Sequence, residues 1–180
     1  MNIYFSGIGG VGIGALAELA ASAGHKVFGS DSSKSLTTNR LEKQNFDIKI
    51  GEQNGDFLRE IQETQTIDWF VYTAALPAGH PELVLARELG LKISKRDELL
   101  NHLIEEKNLK LIAVSGTHGK TTTTGMLIWV FKQLGIPASW SIGTTLNFGE
   151  AGFFDPKSEY FIYEADEFDR NFLHFSPFVS

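Results

Sequence analysis

Two short glycine-rich segments hold most of the chemistry this sequence could perform. The first, Gly7-Ile8-Gly9-Gly10-Val11-Gly12, contains GxGxxG; the second is Gly116-Thr117-His118-Gly119-Lys120-Thr121. In a GxGxxG turn between a strand and a helix, the first glycine permits the tight turn and the second lets backbone approach a pyrophosphate. The third lets the helix pack close to the sheet. Gly7, Gly9 and Gly12 take these places, and Asp31, ending the next strand, is positioned to accept a hydrogen bond from a ribose hydroxyl. The second segment departs from the general phosphate-loop spacing, because Val114 stands where the first glycine would be. The remaining GxxGKT keeps the working parts: backbone N–H groups that cradle phosphates, Lys120 as a point charge for the β/γ-phosphates, and a Thr121 hydroxyl suited to Mg²⁺. A third feature, Glu164-Ala165-Asp166-Glu167, follows the apolar run 160–163. Glu164 therefore stands at the C-terminal end of a strand, where open α/β sheets bind ligands and a carboxylate can hold a hard cation. Each feature also has a plainer reading, as a ligand-free turn, an N-cap or a solvated acidic turn. The strand and helix flanking each glycine loop weigh against it.

Periodicity supplies the elements that must hold these loops. Strands are predicted at 2–6, 26–30, 46–50, 68–73 and 91–94, alternating with helices at 11–23, 36–43, 56–62, 81–89 and 96–106. That alternation implies a Rossmann-like parallel sheet with crossover helices. The polar segment Glu105–Leu109 lacks apolar periodicity and marks a boundary near Asn108, giving units 1–108 and 109–180. The second unit repeats the opening of the first: strand 110–115, glycine loop, helix 120–134, with further strands at 138–142 and 160–164 and the start of another at 177–180. It reads as the beginning of a phosphate-loop α/β domain. About 70 residues is small for such a unit, so the natural protein is expected to continue. The edge beyond Tyr160–Glu164 is then expected to be unpaired.

The chain has 180 residues, 42% apolar and 21% charged, with net charge −6 and no cysteine. The apolar fraction suits a packed core, and the negative charge argues against nucleic-acid binding, which needs a basic face. Disulfides and thiolate metal sites are excluded. No apolar run approaches the ~20 residues that span a bilayer, and Met1–Gly12 lacks a basic n-region. The composition is that of a cytoplasmic protein without a membrane segment.

Taken in order, GIGGVGIGALAEL at 7–19, GSD at 29–31, TAALPAGHPE at 73–82, GTHGKT at 116–121 and EADEFDRNFLHFSP at 164–177 resemble the Mur ligase family along the whole chain. Within it, the first loop matches the members that join L-alanine to UDP-N-acetylmuramate better than those that recycle murein tripeptide. The resemblance implies an ATP-dependent, amide-forming ligase of peptidoglycan precursor synthesis. Gly7, Gly9, Gly10, Gly12, Asp31, Thr73 and Ala74 would frame the UDP sugar, and Gly116, Thr117, His118, Gly119, Lys120, Thr121 and Thr122 would bind ATP. Thr121 and Glu164 would hold Mg²⁺, with Lys120 and His118 nearest the reacting phosphate. Two departures are visible. Gly143-Thr144 stands where the family has a glycine pair, and Phe168 where the alanine-adding members have serine. The family's C-terminal domain, which receives the amino acid, is absent from the sequence, so these 180 residues alone are expected to bind substrate without ligating it.

Two other classes fit part of the pattern. An NAD-dependent oxidoreductase accounts for GxGxxG and Asp31 but not for GTHGKT. A phosphate-loop NTPase accounts for GTHGKT but not for the first loop.

Overall fold

The computed structural model describes residues 1–165 and 177–180. The first half is a parallel sheet with helices between its strands: β1 (Asn2–Ser6), α1 (Val11–Ser22), β2 (Lys26–Asp31), α2 (Leu36–Lys43), β3 (Asp47–Ile50), α3 (Asp56–Thr64), β4 (Trp69–Tyr72), α4 (Pro81–Glu88), β5 (Lys92–Lys95) and α5 (Arg96–Glu106). The strand order β3-β2-β1-β4-β5 reverses at β1. This puts a crevice outside the C-terminal ends of β1 and β4, where doubly wound sheets bind ligands. Asn108, in a left-handed conformation (φ 53°), ends α5.

A second sheet follows, from β6 (Lys110–Val114), α6 (Lys120–Gln133), β7 (Ala138–Ser141), β8 (Gly152–Phe153) and β9 (Tyr160–Glu164), in the order β6-β9-β7-β8. The short antiparallel β8 was not anticipated, since two residues carry no periodicity. The expected unpaired edge beyond β9 is also corrected: β9 lies between β6 and β7 and pairs in parallel with both. The segment 177–180 comes back beside β6 through an Ile112–Val179 bridge. Among the described residues no helix is long and apolar enough to cross a membrane.

Helix α1 joins the two sheets. Eight of its residues, Ile13 to Ala20, are buried, in keeping with a sequence that is small or apolar nearly all round. Leu16, Leu19 and Ala20 share one core cluster with Ile3 and Phe5 of β1, Leu99 and Leu103 of α5, and Leu111, Phe161 and Tyr163 of the second sheet. The approach of β8 is close enough that a Cβ on Gly152 would lie 1.7 Å from the Ala15 carbonyl oxygen. Beside it, buried Glu18 accepts from Arg40 Nε (2.6 Å) and Gly152 N–H (3.2 Å), while Arg40 Nη1 donates to Thr145 (2.7 Å). Burial raises the Glu18 pKa against the opposing pull of Arg40.

A second buried carboxyl group fixes the ligand end of the first sheet. Glu82, in the first turn of α4 and 1% exposed, accepts from Tyr4 Oη (2.7 Å), Ser6 Oγ (2.5 Å) and Ser30 Oγ (2.7 Å), and from Gln53 Nε2 (3.2 Å). Burial, then the neighbouring Glu82, drives the Tyr4 pKa far upward, so that hydroxyl remains a donor. The backbone carbonyls of the same serines hold the loops above: Ser30 O accepts from Gly7 and Ile8 N–H, and Ser6 O from Thr73 N–H.

Two substitutions test this packing in urea unfolding. Gly152→Ala forces a methyl into backbone and should cost about 1–3 kcal/mol; an unchanged midpoint would show that β8 does not pack on α1 as described. Glu82→Ala leaves three buried hydroxyls without their acceptor and should cost about 3 kcal/mol or more, with Glu82→Gln milder. Equal midpoints for Glu82→Ala and wild type would contradict the network.

Candidate functional site

The first glycine loop connects β1 to α1. Gly7 adopts φ +80°, and a Cβ there would lie 2.5 Å from Thr73 Cγ2, so the tight turn requires glycine and packs against the β4–α4 loop. Gly12 differs from expectation, and Gly9 has a neighbour that the motif does not supply. The space beside the Gly9 α-carbon is filled by the Asp31 carboxylate, whose Oδ2 would be 2.7 Å from a Cβ and accepts the Gly9 N–H at 2.8 Å. Asp31 Oδ1 accepts from Ser33 N–H (3.1 Å), and the carboxylate retains acceptor capacity for a hydroxyl. Gly12 does not serve contact with the sheet: a Cβ there would lie 2.1 Å from Arg96 Nη1. Close helix packing falls to Gly14, against Thr37 Cγ2. Thr73 is half-buried and Ala74 exposed, both next to this turn.

The loop amides are largely committed within the protein. Gly7 and Ile8 donate to Ser30 O, Gly9 to Asp31, and Gly10 to Gly7 O at 3.3 Å. Among the described residues, the N–H groups of Val11, Gly12 and Ile13, in the first turn of α1, have no protein acceptor. The anion-binding end of this motif is thus the helix turn rather than the loop before it.

The second loop connects β6 to α6. Gly116 (φ +141°) and Gly119 (φ +79°) take left-handed conformations, turning the chain so that Lys120 and Thr121 open the helix. Lys120 Nζ donates to Gly116 O at 2.5 Å. Thr117, His118 and Thr122 are exposed. Thr121 Oγ1 donates to Glu164 Oε1 (2.6 Å), across from the end of β9, and Glu164 Oε2 accepts from Gly143 N–H (2.7 Å). The sheet register causes this meeting, since Val114, the last residue of β6, pairs with Glu164. A hydroxyl and a carboxylate side by side are hard oxygen donors of the kind Mg²⁺ takes. Asp166, Glu167, Phe168 and His174 lie outside the described residues.

Both loops open on one cavity of about 260 Å³. Val11, Gly12 and Leu16 of α1 form one wall with Arg96 and Leu100 of α5; Lys120, Glu164, Tyr163 and the 141–143 turn form the other. Sequence reasoning missed Arg96, Gly143 and Glu82. Gly143 was noticed only as a departure, although its amide is what orients Glu164. The Pro-Glu start of α4 announced a helix but not a carboxyl group directed into the sheet.

A family model described as "Mur ligase family, catalytic domain" matches residues 2–108. The chain is 39% identical to the UDP-N-acetylmuramate–L-alanine ligase of Clostridium perfringens and 38% identical to that of Clostridium novyi, in each case over 99% of the chain and 37% of the relative. Among solved structures it is similar to the UDP-N-acetylmuramate-alanine ligase of Thermotoga maritima (31% identity, TM-score 0.85, 98% of this chain, 40% of that one). It is also similar to the UDP-N-acetylmuramate:L-alanyl-gamma-D-glutamyl-meso-diaminopimelate ligase of Neisseria meningitides (29%, 0.86, 99% and 58%). The chain spans little more than a third of the curated relatives it matches. With a parallel sheet, two nucleotide-type loops and this continuous similarity, the chain belongs to the Mur ligase family.

Proposed function

We propose that this chain forms the UDP-sugar and ATP-phosphate sites of a ligase that joins L-alanine to the carboxylate of UDP-N-acetylmuramate. The carrying observation is the single cavity between Gly12 and the Lys120–Glu164 pair. A sugar nucleotide held at the first turn of α1 extends its lactyl carboxylate across that cavity toward the phosphate loop. Residues 1–108 supply the sugar-nucleotide half and 109–180 the phosphate half.

The chemistry follows from leaving groups. Oxide does not leave a carboxylate, so a carboxylate oxygen first attacks the γ-phosphorus of ATP, ADP departs, and an acyl phosphate forms. The amine of L-alanine then attacks the acyl carbon, phosphate departs, and the amine loses a proton to give the amide. The first step is in-line transfer that needs positioning and charge neutralisation rather than a protein nucleophile. Lys120 meets the β/γ-phosphate charge, the amides over 116–121 cradle the phosphates, and His118 lies in the same loop. Glu164, oriented by Gly143, and Thr121 would hold Mg²⁺, which when bound neutralises phosphate charge. ATP places the reaction in the cytoplasm.

A second reading within the family has one observation in its favour. The Neisseria relative, named for a murein tripeptide substrate, superposes as well as the alanine ligase does. The two readings differ only in the amine accepted. The nicotinamide reading leaves GTHGKT and Glu164 unexplained.

Titration calorimetry on the chain tests the proposal. UDP-N-acetylmuramate should bind more tightly than UDP, and NADH should not compete; NADH binding that UDP fails to displace would overturn it. Lys120→Ala should weaken Mg·ATP by roughly 10- to 100-fold, the worth of a charge-assisted contact, and leave UDP-N-acetylmuramate affinity within about twofold. Glu164→Ala should raise the Mg²⁺ concentration needed for ATP binding. Unchanged Mg·ATP affinity in Lys120→Ala would contradict the assignment of the second loop.

A further inference from the structure

We propose that Arg40 is a positioning residue for the cation site: it reaches from α2 to hold the turn after β7, whose Gly143 amide orients Glu164. The inference rests on the proposed Mg²⁺ role of Thr121 and Glu164. It adds to that site a residue from the first half of the chain that neither glycine motif contains.

The Glu164 carboxylate is held at both oxygens. Oε1 accepts from Thr121 Oγ1 at 2.6 Å, and Oε2 accepts from Gly143 N–H at 2.7 Å. Thr121 and Oε1 are the pair proposed for the cation, which leaves the Gly143 amide to fix the carboxylate. The approach is close, since a Cβ on Gly143 would lie 3.1 Å from Oε2. Groups that orient a metal-binding carboxylate tune the affinity of the site as much as the ligand itself does.

Gly143 belongs to a closed turn. Ile142 N–H donates to Ala151 O (2.9 Å), and Leu146 and Gly149 exchange backbone hydrogen bonds at 3.0 and 3.4 Å. Arg40 ties this turn to the first sheet. Its Nη1 donates to Thr145 Oγ1 at 2.7 Å, across 105 residues of sequence, and its Nε lies 4.0 Å from Glu150 Oε2. The guanidinium is anchored from behind by Glu18 of α1, whose side chain is 3% exposed and accepts from Arg40 Nε at 2.6 Å. The planar fork sets the angle between its two partners, so buried Glu18 fixes where Thr145 sits, and Thr145 is two residues from Gly143. An ion pair with Glu18 needs only a cation, which lysine would supply. The second contact, to a neutral hydroxyl, needs the fork.

Calorimetric titration of ATP into the chain at a series of Mg²⁺ concentrations tests this. Arg40→Lys keeps a charge for Glu18 and gives up the fork; Thr145→Val removes the hydroxyl and leaves the Glu18 pair intact. Each should raise the Mg²⁺ concentration for half-maximal ATP binding by roughly 3- to 10-fold, below the roughly 10- to 100-fold typical of a group in direct contact with a metal ligand. UDP-N-acetylmuramate affinity should stay within about twofold; a loss as large as the Mg²⁺ shift would assign Arg40 to the fold at large and overturn the proposal. Circular dichroism and the urea midpoint identify any variant that fails to fold, and Thr145 is exposed, so Thr145→Val leaves the core untouched. In a Glu164→Ala background, where the carboxylate to be oriented is gone, neither substitution should shift the Mg²⁺ requirement further. A full additional shift there would mean that Arg40 acts elsewhere and would overturn the proposal. If Glu164→Ala raises the Mg²⁺ requirement and either folded variant, Arg40→Lys or Thr145→Val, does not, the role of Arg40 fails while the cation site stands. If Glu164→Ala changes nothing, the cation-site reading fails and this inference with it.

Discussion

Everything in this structure depends on helix α1 being packed on two sides at once. A surface helix needs one apolar face; α1 is buried through Ile13 to Ala20 because the first sheet lies on one side and the second sheet's β7–β8 edge on the other. The contact is close enough that β8 needs a glycine at 152 to pass the Ala15 carbonyl. Glu18 adds direction, since Arg40 and the Gly152 amide meet on its carboxyl group. The N-terminus of α1 is thereby fixed relative to β6, β9 and the phosphate loop. Packing of this density does not deform continuously, so the spacing of the two glycine loops is a property of the fold rather than of any bound substrate.

The rest of the site follows from strand ends. Parallel strands carry their ligands at the C-terminal edge, and both sheets obey this rule. Ser6 and Ser30 end β1 and β2 and are tied together beneath the loop by Glu82. Glu164 ends β9 in register with Val114 of β6, which brings it within a hydrogen bond of Thr121. Two carboxyl groups thus do different work. Glu82 is buried and satisfied by neutral donors, which suits a brace. Glu164 faces the cavity with a hydroxyl and an amide for partners, which suits the proposed cation site.

Much of this was legible in the sequence, because glycine spacing and hydrophobic periodicity are local. Strands and helices fall within a few residues of expectation, and Thr121 and Glu164 meet as GKT followed by a strand-end glutamate implied. What was not legible is what distant elements do to a motif. Gly9 and Gly12 sit where the pattern puts them, but their neighbours, Asp31 and Arg96, come from other segments of chain, and those neighbours change what each glycine is for. β8 was missed because two residues have no period, and the supposed free edge of β9 because pairing order in a parallel sheet is not sequence order. Glu82 was missed because nothing local distinguishes a buried glutamate from a helix-start carboxylate.

The most direct measurement uses Mn²⁺ in place of Mg²⁺ with ADP and UDP-N-acetylmuramate on the chain, reading proton relaxation of the bound sugar nucleotide. If both loops serve one cavity, the lactyl methyl protons lie nearer the metal than the uracil protons and relax faster. Uracil protons relaxing as fast as the lactyl methyl, or faster, would contradict a shared cavity and the orientation proposed for the substrate.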